Sequence, residues 1–420
     1  MKKICLVYPE CYEVAKFGNK RKEFPPFGVM YLASALEKEN YDVKIIATSN
    51  DNNCFDFSDF DMVGFSISSS ISYPLIKKTR ENSIFNANSL IIAGGIHASL
   101  YPMEVIKDLD CDIISIGEGE KTIVEIARSS SLDDISKIKG IYYKKDNSIY
   151  ITEKRNDIND LDTLSFPARH LLPKEDIVME RLSNTSLSIA HVLFSRGCPY
   201  HCNFCANQNH NVRYRSKDNI KEELEFLIKD YGIKGFCVVD DNFLVNKEKA
   251  MEIIREIGKL NLKWSTLARV DNVDLELLKE LKNSGCIEIK YGVESGSQKM
   301  LDLMNKKITV SEIKNAFNLT KDVGINAKAL IMHGFPKEDI NTTKETIALL
   351  EELKMCISRV GLTYFTYLPG SPIYPSEHIT CNTSVYCEEQ VPWGSNKEKE
   401  EVLESRKLLI KYIKKNFPNK

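Results

Sequence analysis

Short apolar runs alternate with helix-spaced apolar positions along the first 130 residues of the chain. The runs that predict strands are 3–8, 42–47, 61–67, 90–93 and 112–116. The stretches with helical spacing are 29–36, 73–85, 102–109 and 119–128. Strands that alternate with helices in this way predict a doubly wound, Rossmann-like parallel sheet with helices on both faces, within the α/β class.

A second alternation begins after a polar stretch that contains a predicted hairpin (141–143 and 149–152) and a proline-bearing linker (161–173). Its predicted strands are 188–194, 235–240, 263–268, 286–292, 325–332 and 359–365. Its predicted helices are 219–230, 247–260, 274–284, 310–323 and 341–354, with a charged amphipathic helix at 397–416. Six such units predict a partial (β/α)6 barrel of the TIM type.

We therefore expect four segments in the chain. They are an N-terminal sheet domain at 1–135, a hairpin and linker at 136–185, the partial barrel at 186–375, and a C-terminal capping segment with a helix at 376–420.

Small residues follow three predicted strands of the N-terminal sheet. They are Ser66 and Ser68, then Gly94 and Gly95 with His97 close by, and finally Gly117, Glu118 and Gly119. In parallel sheets ligands lie beyond the carboxyl ends of the strands, so these positions leave room for a flat or extended ligand. The alternative is that the glycines only form tight turns.

The charge is balanced, with 57 Lys and Arg against 59 Asp and Glu. This argues against a nucleic-acid partner held by bulk electrostatics. The apolar run after Met1 is too short for a signal peptide, and no run approaches the length of a membrane span. We therefore expect a cytoplasmic protein.

Twelve cysteines are present, and in a reducing compartment they serve as small hydrophobes, metal ligands or nucleophiles. Five lie in apolar runs and are expected in the core: Cys5, Cys54, Cys111, Cys237 and Cys286.

Three other cysteines, Cys198, Cys202 and Cys205, follow the first barrel strand within eight residues. Thiolates in one short loop can hold an iron–sulfur cluster, and three ligands for a four-iron cube leave one iron open to substrate. A zinc site with His201 or His210 as fourth ligand, and coincidence, are the alternatives.

The CxxxCxxC spacing, with the aromatic Phe204 before the last cysteine, resembles the signature of the radical S-adenosylmethionine (radical SAM) superfamily. The stretch from Phe24 to Ala33 resembles the opening helix of the subgroup that has an N-terminal cobalamin-binding domain. The glycine loops after 94 and 117 resemble its ligand loops, and the linker at 161–173 resembles its linker. The resemblance covers residues 1 to about 375.

The resemblance implies that the three cysteines hold a [4Fe-4S] cluster whose open iron binds SAM, and that SAM is cleaved reductively to a 5′-deoxyadenosyl radical. It further implies cobalamin as methyl carrier, an electron donor such as flavodoxin or ferredoxin, and methylation of a carbon or phosphorus atom in a small molecule. Non-methylating radical reactions (cyclisation, ring contraction, oxidation, C–C coupling) and a non-catalytic cobalamin or redox sensor are the alternatives.

Contacts to SAM are also implied by matching positions. Asp240 and Asp241 match the contact to the amino group, and Glu294 with Ser295 matches the ribose-binding segment. Lys306 and Arg269 are candidate partners of the SAM carboxylate, or else solvated charges. Gly334 lies in the stretch that resembles the one passing the adenine.

Some features depart from the pattern or remain open. No histidine follows an Asp at a spacing of two, so no such motif supplies a lower ligand for cobalamin. His97 is expected at the periphery of the ligand, or is a satisfied loop histidine. Cys356, Cys381 and Cys387 are interpreted as unrelated cysteines, and the segment Pro369–Trp393 either caps the substrate or closes the barrel.

Overall fold

The structure is a computed structural model, and it describes residues 2–10, 12–14, 20–22, 25–180, 182–183, 185–207, 211–375 and 391–418. The chain divides into two compact units, residues 1–177 and 178–420. Several residues named above lie outside the described part: Phe24, His210, Cys381 and Cys387.

The first unit contains eleven strands and seven helices among its described residues. The strands are β1 Lys3–Pro9, β2 Tyr12–Val14, β3 Lys20–Lys22, β4 Asp42–Thr48, β5 Asp56–Phe57, β6 Met62–Ser66, β7 Ile84–Phe85, β8 Leu90–Gly94, β9 Ile113–Ser115, β10 Ile141–Lys145 and β11 Ser148–Ile151. The helices are α1 Phe27–Glu37, α2 Tyr73–Asn82, α3 Ile96–Leu100, α4 Pro102–Asp108, α5 Glu120–Arg128, α6 Leu132–Ile135 and α7 Lys174–Ile177.

Five parallel strands form the centre of its sheet in the order β4-β1-β6-β8-β9, and β10 and β11 continue it as antiparallel strands. The order reverses between β1 and β6. A ligand site is expected beyond the carboxyl ends of the strands at such a reversal. Cys5, Val7 and Phe65 pack on one face with α2 and α4, while Ile4 and Leu6 are buried on the other.

The second unit contains nine strands and seven helices among its described residues. The strands are β12 Val178–Met179, β13 Ile189–Val192, β14 Ser195–Arg196, β15 Arg213–Tyr214, β16 Gly235–Val238, β17 Lys263–Ala268, β18 Cys286–Glu294, β19 Asn326–His333 and β20 Ile357–Tyr364. The helices are α8 Lys217–Phe226, α9 Lys247–Ile257, α10 Leu275–Asn283, α11 Gln298–Leu303, α12 Val310–Asp322, α13 Ile340–Glu352 and α14 Asn396–Asn416.

Six parallel strands of this unit, β13, β16, β17, β18, β19 and β20, lie side by side in chain order, with β12 antiparallel at the edge. One face of the sheet packs against the connecting helices through residues such as Phe236, Trp264 and Tyr291. With every connecting helix on that face, the sheet is the partial barrel that the sequence predicts, and its other face is the lumen.

Six of the seven described helices of the second unit begin where a polar side chain caps the first turn, and α11 is the exception. The capping residues are Ser216, Asn246, Asp274, Thr309, Asp339 and Ser395. Each accepts a hydrogen bond from a backbone N–H that the helix leaves unpaired. Thr309 and Ser395 complete capping boxes with Glu312 and Glu398.

The predicted α/β fold class is confirmed, and the principal strands and helices differ from the predicted ranges by a few residues. One prediction about the core is wrong: Cys54 is exposed, whereas Cys5, Cys111, Cys237 and Cys286 are buried as expected. Cys54 precedes the two-residue strand β5, which pairs only with β7, so it does not enter the main sheet. No described helix has both the length and the hydrophobicity to cross a bilayer.

Candidate functional site

The three clustered cysteines lie in one loop beyond the carboxyl end of β13, where a barrel enzyme has its active site. Cys198 is half-buried, Cys202 is buried and Cys205 is exposed, and none of the three forms a disulfide with a described residue. Gly197, with φ +95°, turns the chain into the loop in a conformation that favours glycine.

Two carboxyl groups at the end of β16 hold the start of this loop. Asp240 is buried and accepts hydrogen bonds from the backbone N–H of Phe194 (2.8 Å) and from Ser195 Oγ (2.5 Å). Burial raises the pKa of Asp240 to about 7. Asp241 accepts a hydrogen bond from the backbone N–H of Gly197. Both carboxyls therefore position the cysteine loop.

The other side of the loop is bound to the segment after α11. The backbone N–H of Asn203 donates to Met304 O (2.9 Å), and its side-chain amide donates to Leu303 O (2.8 Å). Asn305 Nδ2 donates in turn to His201 O (2.6 Å). Hydrogen bonds on both sides therefore fix the backbone that carries the thiols.

The side chain of Arg269, which follows β17, contacts the cysteine loop. Its guanidinium lies 3.6 Å from the ring centroid of Tyr200, inside the cysteine loop, and makes two hydrogen bonds with Asp271 (2.9 and 3.0 Å). It also donates to Lys306 O (2.6 Å) and lies 3.8 Å from Cys202 Sγ. A fixed cation therefore stands beside a thiol of the cluster loop.

Glu294 and Lys306 form an ion pair with 2.8 Å between Oε1 and Nζ, and both side chains are nearly buried. Glu294 lies at an irregularity between β18 and β19 and has φ +64°, a left-handed conformation that is uncommon for a glutamate. Lys306 Nζ is 5.7 Å from the ring centroid of Phe204. Two residues predicted separately thus meet beside the aromatic residue of the cysteine motif.

The remaining predicted residues of this unit have other partners. Ser295 is buried, with its hydroxyl 3.2 Å from Thr346 Oγ1 and accepting from the backbone N–H of Ser297. Gly334 has φ +95°, and a Cβ there would lie 2.6 Å from Arg406 Nη2 of α14. Next to it, Phe335 belongs to the same apolar cluster as Phe204.

The three thiols fit a cluster held by three thiolates. Backbone N–H groups of Tyr200 and Asn207 donate to the sulfurs of Cys198 and Cys205, as is common around iron–sulfur clusters. Burial raises the pKa of Cys198, while the Tyr200 N–H and Arg269 lower it. A bound metal would favour the thiolate form. Within the described part of the chain, no three His, Cys, Asp or Glu side chains are grouped closely enough to bind one metal ion. The thiolates of a four-iron cluster each bind a different iron, so they do not have to converge on a single ion.

In the first unit the carboxyl ends of three adjacent strands carry small residues. Ser66 pairs with Gly94 across β6 and β8, and Ser115 ends the next strand. A Cβ on Gly94 would lie 3.5 Å from Ser115 Cβ, and the Ser115 hydroxyl is buried without a hydrogen-bond partner among the described residues. An unsatisfied hydroxyl beside small residues at the strand ends fits a polar, flat ligand such as cobalamin.

Glycines in the loops after β8 and β9 allow close contacts with neighbouring atoms. Gly95 has φ +98°, and a Cβ there would lie 2.6 Å from Ile67 O, so only glycine fits. The backbone N–H of Gly117 donates to Ser99 Oγ (3.0 Å), and Glu118 accepts from the backbone N–H of Ile158 (2.8 Å). A Cβ on Gly119 would lie 3.0 Å from Leu32 Cδ2.

Ser68 is exposed and His97 is buried beside these loops. His97 Nδ1 lies 2.8 Å from Ser70 Oγ, and its ring packs in a tilted orientation against Tyr73 and Tyr101, with centroids 4.3 and 5.2 Å away. Burial lowers the pKa of His97 to about 4, so the imidazole is neutral at pH 7.

Sequence reasoning missed several residues that shape these sites. Tyr200 and Asp271 both contact the Arg269 guanidinium. Asp271 could have been found from the sequence, because it lies two residues after Arg269. Asn203 and Asn305, which bind the cysteine loop to its neighbour, carry no motif. Ser115 could have been found from the sequence, because it ends a strand as Ser66 does.

Comparisons with known proteins match a different family model to each of the two units. Residues 192–350 match the radical SAM superfamily, and residues 17–127 match the B12 binding domain. An uncharacterized methyltransferase from Pyrococcus horikoshii is 30% identical over 364 residues, covering 83% of this chain and 78% of the relative.

Two further proteins are similar. The anaerobic magnesium-protoporphyrin IX monomethyl ester cyclase of Cereibacter sphaeroides is 28% identical over 300 residues, covering 68% of this chain and 48% of the relative. The solved structure of the radical SAM methyltransferase TsrM from Kitasatospora setae, with cobalamin and a [4Fe-4S] cluster bound, has a TM-score of 0.67. It is 16% identical and covers 89% of this chain and 74% of its own.

The fold and the cysteine loop thus define a radical-generating barrel joined to a ligand-binding parallel sheet. The chain belongs to the radical SAM superfamily, in the group of enzymes that carry an N-terminal B12-binding domain.

Proposed function

We propose that the protein is a cobalamin-dependent radical SAM methyltransferase that methylates an unactivated carbon, or a phosphorus atom, of a small molecule. The observation that carries the proposal is the gathering of Arg269, Glu294 and Lys306 around the loop of three cysteines. The same chain matches the B12 binding domain, and its relative from Pyrococcus horikoshii is named a methyltransferase.

Cys198, Cys202 and Cys205 would hold the cluster, and the carboxyl ends of β6, β8 and β9 would hold cobalamin. When bound, the cluster supplies the electron that cleaves SAM, and cobalamin supplies a carrier for the methyl group. Ser66, Ser68, Gly94, Gly95 and His97 would contact cobalamin, and the 117–119 loop would border it.

The charged residues of the barrel would bind and orient SAM. Lys306 would pair with its carboxylate, and Glu294 would accept hydrogen bonds from its ribose hydroxyls. Their own ion pair keeps both groups ordered before SAM arrives. Arg269 would keep a positive charge beside Cys202.

Three further contacts complete this assignment. Asp241, the exposed member of the aspartate pair, would bind the SAM amino group, while the buried Asp240 holds the loop. Ser295 would support the ribose-binding turn, and the Gly334 segment would pass the adenine. The apolar cluster that includes Phe204, Met304 and Phe335 would exclude water from this place.

A flavodoxin or a ferredoxin would supply the electron, and we place the protein in the cytoplasm. The nine described cysteines form no disulfide with one another.

Anaerobic reconstitution with iron, sulfide, hydroxocobalamin and SAM tests the proposal. With a reductant, the wild type should form 5′-deoxyadenosine, and the product mass should rise by one CH₂ per turnover. The absence of 5′-deoxyadenosine from cluster-loaded protein would contradict radical chemistry.

A non-methylating reaction on the same architecture is the second candidate, because the relative from Cereibacter sphaeroides is named a cyclase. That relative is about twice the length that the match covers, since only 48% of it aligns. Formation of 5′-deoxyadenosine with a product that has not gained CH₂ would favour this candidate.

A further inference from the structure

Two stretches of chain beyond the last barrel strand lie against the candidate SAM site. One follows β20 and the other precedes α14. Ile373 of the first and Trp393 of the second belong to the same apolar cluster as Phe204 and Phe335. Both stretches lie outside residues 192–350, which match the radical SAM superfamily. The C-terminal part of this chain therefore contributes to the surroundings of the cysteine motif and of the turn after β19.

The stretch after β20 is bound to the cysteine loop. The backbone N–H of Ile373 donates to Asn203 O (3.1 Å). The N–H of Asn203 donates to Met304 O on the other side, so both backbone groups of this residue are used. Ser371 stiffens the stretch locally, because its N–H and its hydroxyl both donate to Leu368 O (3.0 and 2.7 Å). The loop that carries the thiols is therefore fixed from the C-terminal side as well.

The stretch before α14 is bound to the turn after β19. Trp393 Nε1 donates to Gly334 O (2.6 Å). The N–H of the same glycine donates to the carboxyl of Glu338. Both polar groups of the Gly334 backbone are therefore fixed, one from within the turn and one by an indole from the C-terminal part of the chain. An indole N–H that leaves water usually finds an acceptor, and here the acceptor belongs to the stretch that would border the adenine.

Helix α14 packs against the same turn. Arg406 is buried, and its guanidinium lies 4.5 Å from the ring centroid of Tyr364. Its Nε donates to His333 Nδ1 (3.4 Å), and Ser405 Oγ lies 3.2 Å from the other ring nitrogen. A Cβ on Gly334 would lie 2.6 Å from Arg406 Nη2. The helix therefore leaves no room for a side chain at Gly334 and supports the turn that Trp393 holds.

These contacts differ from those of a helix that only covers the barrel. Such a helix buries apolar side chains, as α14 does through Leu409 and Ile410. Trp393 instead combines apolar contact with a hydrogen bond to a backbone carbonyl in the turn that would border SAM. Packing and hydrogen bonding together hold a binding site in the geometry that its ligand needs.

We propose that Trp393 is a positioning residue for SAM: its indole holds the Gly334 carbonyl, and so the turn after β19, in the place where the adenine binds. This inference rests on the proposed function, because it takes this turn as the stretch that passes the adenine. Trp393 touches no reacting atom in this assignment and acts through the turn. Its loss should therefore weaken the binding of the adenosyl part of SAM while the cluster remains.

Equilibrium binding to the cluster-reconstituted protein tests this role with two probes. One is SAM, and the other is 5′-methylthioadenosine, which keeps the adenosyl part but lacks the amino-acid part. Trp393→Phe keeps an aromatic ring in the apolar cluster and removes the N–H that holds Gly334 O. It should weaken the binding of both probes about three- to tenfold, which is the effect of one lost hydrogen bond. Its iron content should equal that of the wild type.

Three further variants complete the experiment. Trp393→Tyr keeps a ring and also lacks the indole N–H, so it should behave like Trp393→Phe and replaces it if that variant does not fold. Lys306→Met should weaken SAM far more than 5′-methylthioadenosine, which has no carboxylate. Leu408→Ala changes an exposed side chain of α14 and should change neither affinity. A role of Trp393 in stability alone would lower the melting temperature of its variants and leave both affinities unchanged.

Wild-type affinity for both probes in the folded Trp393 variants would overturn the inference. A loss confined to SAM, or a wild type that binds SAM but not 5′-methylthioadenosine, would overturn it as well, since Trp393 would then not serve the adenosyl part. Formation of 5′-deoxyadenosine by the reduced wild type is measured separately. Its absence would refute the proposed function, whereas SAM cleavage together with any of the outcomes above would refute only the role of Trp393.

Discussion

At the carboxyl ends of the barrel strands, charged side chains contact one another, whereas the corresponding ends in the N-terminal sheet carry serine and glycine. Arg269, Glu294 and Lys306 are all engaged in ion pairs or hydrogen bonds within a short distance of the cysteine loop. Ser66, Gly94 and Ser115 present little beyond backbone and hydroxyl groups.

This difference indicates two ways of preparing a cofactor site. The barrel fixes charges in advance, so that a small charged molecule is bound by electrostatics at low reorganisation cost. The N-terminal sheet instead leaves room, so that a large ligand is bound by shape and by many weak contacts. Changes of charge should therefore damage the barrel site, and changes of size should damage the sheet site.

The largest effect is expected from the cysteine loop. Cys202→Ala should remove cluster iron and abolish 5′-deoxyadenosine formation, because the buried thiol beside Arg269 is one of three ligands. Iron analysis and absorbance after anaerobic reconstitution measure the loss. Cys54→Ala, which changes an exposed cysteine of the other unit, should retain wild-type iron content. An unchanged iron content in Cys202→Ala would show that this loop is not the cluster site.

The Glu294–Lys306 pair should give the next largest effect. Lys306→Met should weaken SAM binding about tenfold or more and should destabilise the fold, because it leaves a nearly buried carboxylate unpaired. The double variant Glu294→Gln with Lys306→Met should recover much of the stability but not the SAM affinity. SAM titrations and thermal melts separate the two effects. Recovery of affinity in the double variant would mean that the pair is only structural.

A change of size tests the sheet site. Gly94→Leu places a large side chain over the row of small residues and should reduce cobalamin binding about tenfold or more. Stability should change little, because a Cβ at Gly94 makes only an ordinary 3.5 Å contact with Ser115. Cobalamin absorbance after gel filtration measures binding. Gly28→Leu is the comparison and should take up cobalamin normally, since Gly28 is an exposed helical position of the same unit where a Cβ meets nothing within 4 Å. Normal cobalamin uptake by Gly94→Leu would place the ligand elsewhere.

The smallest effect is expected on the pH dependence of the stability of the barrel unit. Burial raises the pKa of Glu338 to about 7, although backbone N–H groups of Gly334 and Phe335 lower it. Between pH 4.5 and 7 the native state keeps a proton that the unfolded state releases, so this group makes stability fall as pH rises. In Glu338→Gln, the decrease in the free energy of unfolding between pH 4.5 and 7 should be smaller by about 1 to 3 kcal/mol.

Denaturant titrations of the wild type and Glu338→Gln across this range measure the difference in slope. The comparison of the two proteins is required because the neighbouring His333, whose pKa burial lowers to about 3, contributes the opposite slope. Parallel slopes for the two proteins would contradict a protonated Glu338.

Periodicity and spacing predicted most of the architecture, because each principal strand and helix buries its own apolar pattern. The alternation from 187 to 365 reproduces the observed barrel strands within a few residues. Short elements such as β14 and β15 escaped prediction, since a two-residue ladder has no periodicity. Cys54 was misplaced because a lone cysteine near Phe55 and Phe57 has the composition of a core strand.

The sequence predicted the cysteines of the candidate site, but it did not predict which charged side chains pair with each other there. The cysteines form a local motif, but the ion pair between Glu294 and Lys306 depends on an irregular, left-handed residue at the end of β18. Likewise, the sequence places Asp240 after a strand, and only the fold shows that its carboxyl holds Phe194 and Ser195. Such partners are set by tertiary structure.

Electron paramagnetic resonance of the reduced, anaerobically reconstituted protein tests the central claim most directly. We predict a reduced [4Fe-4S] signal whose g values shift when SAM is added, because one iron has no protein ligand and binds SAM. A cluster signal that SAM leaves unchanged, or protein that retains zinc and no cluster in this loop, would contradict it.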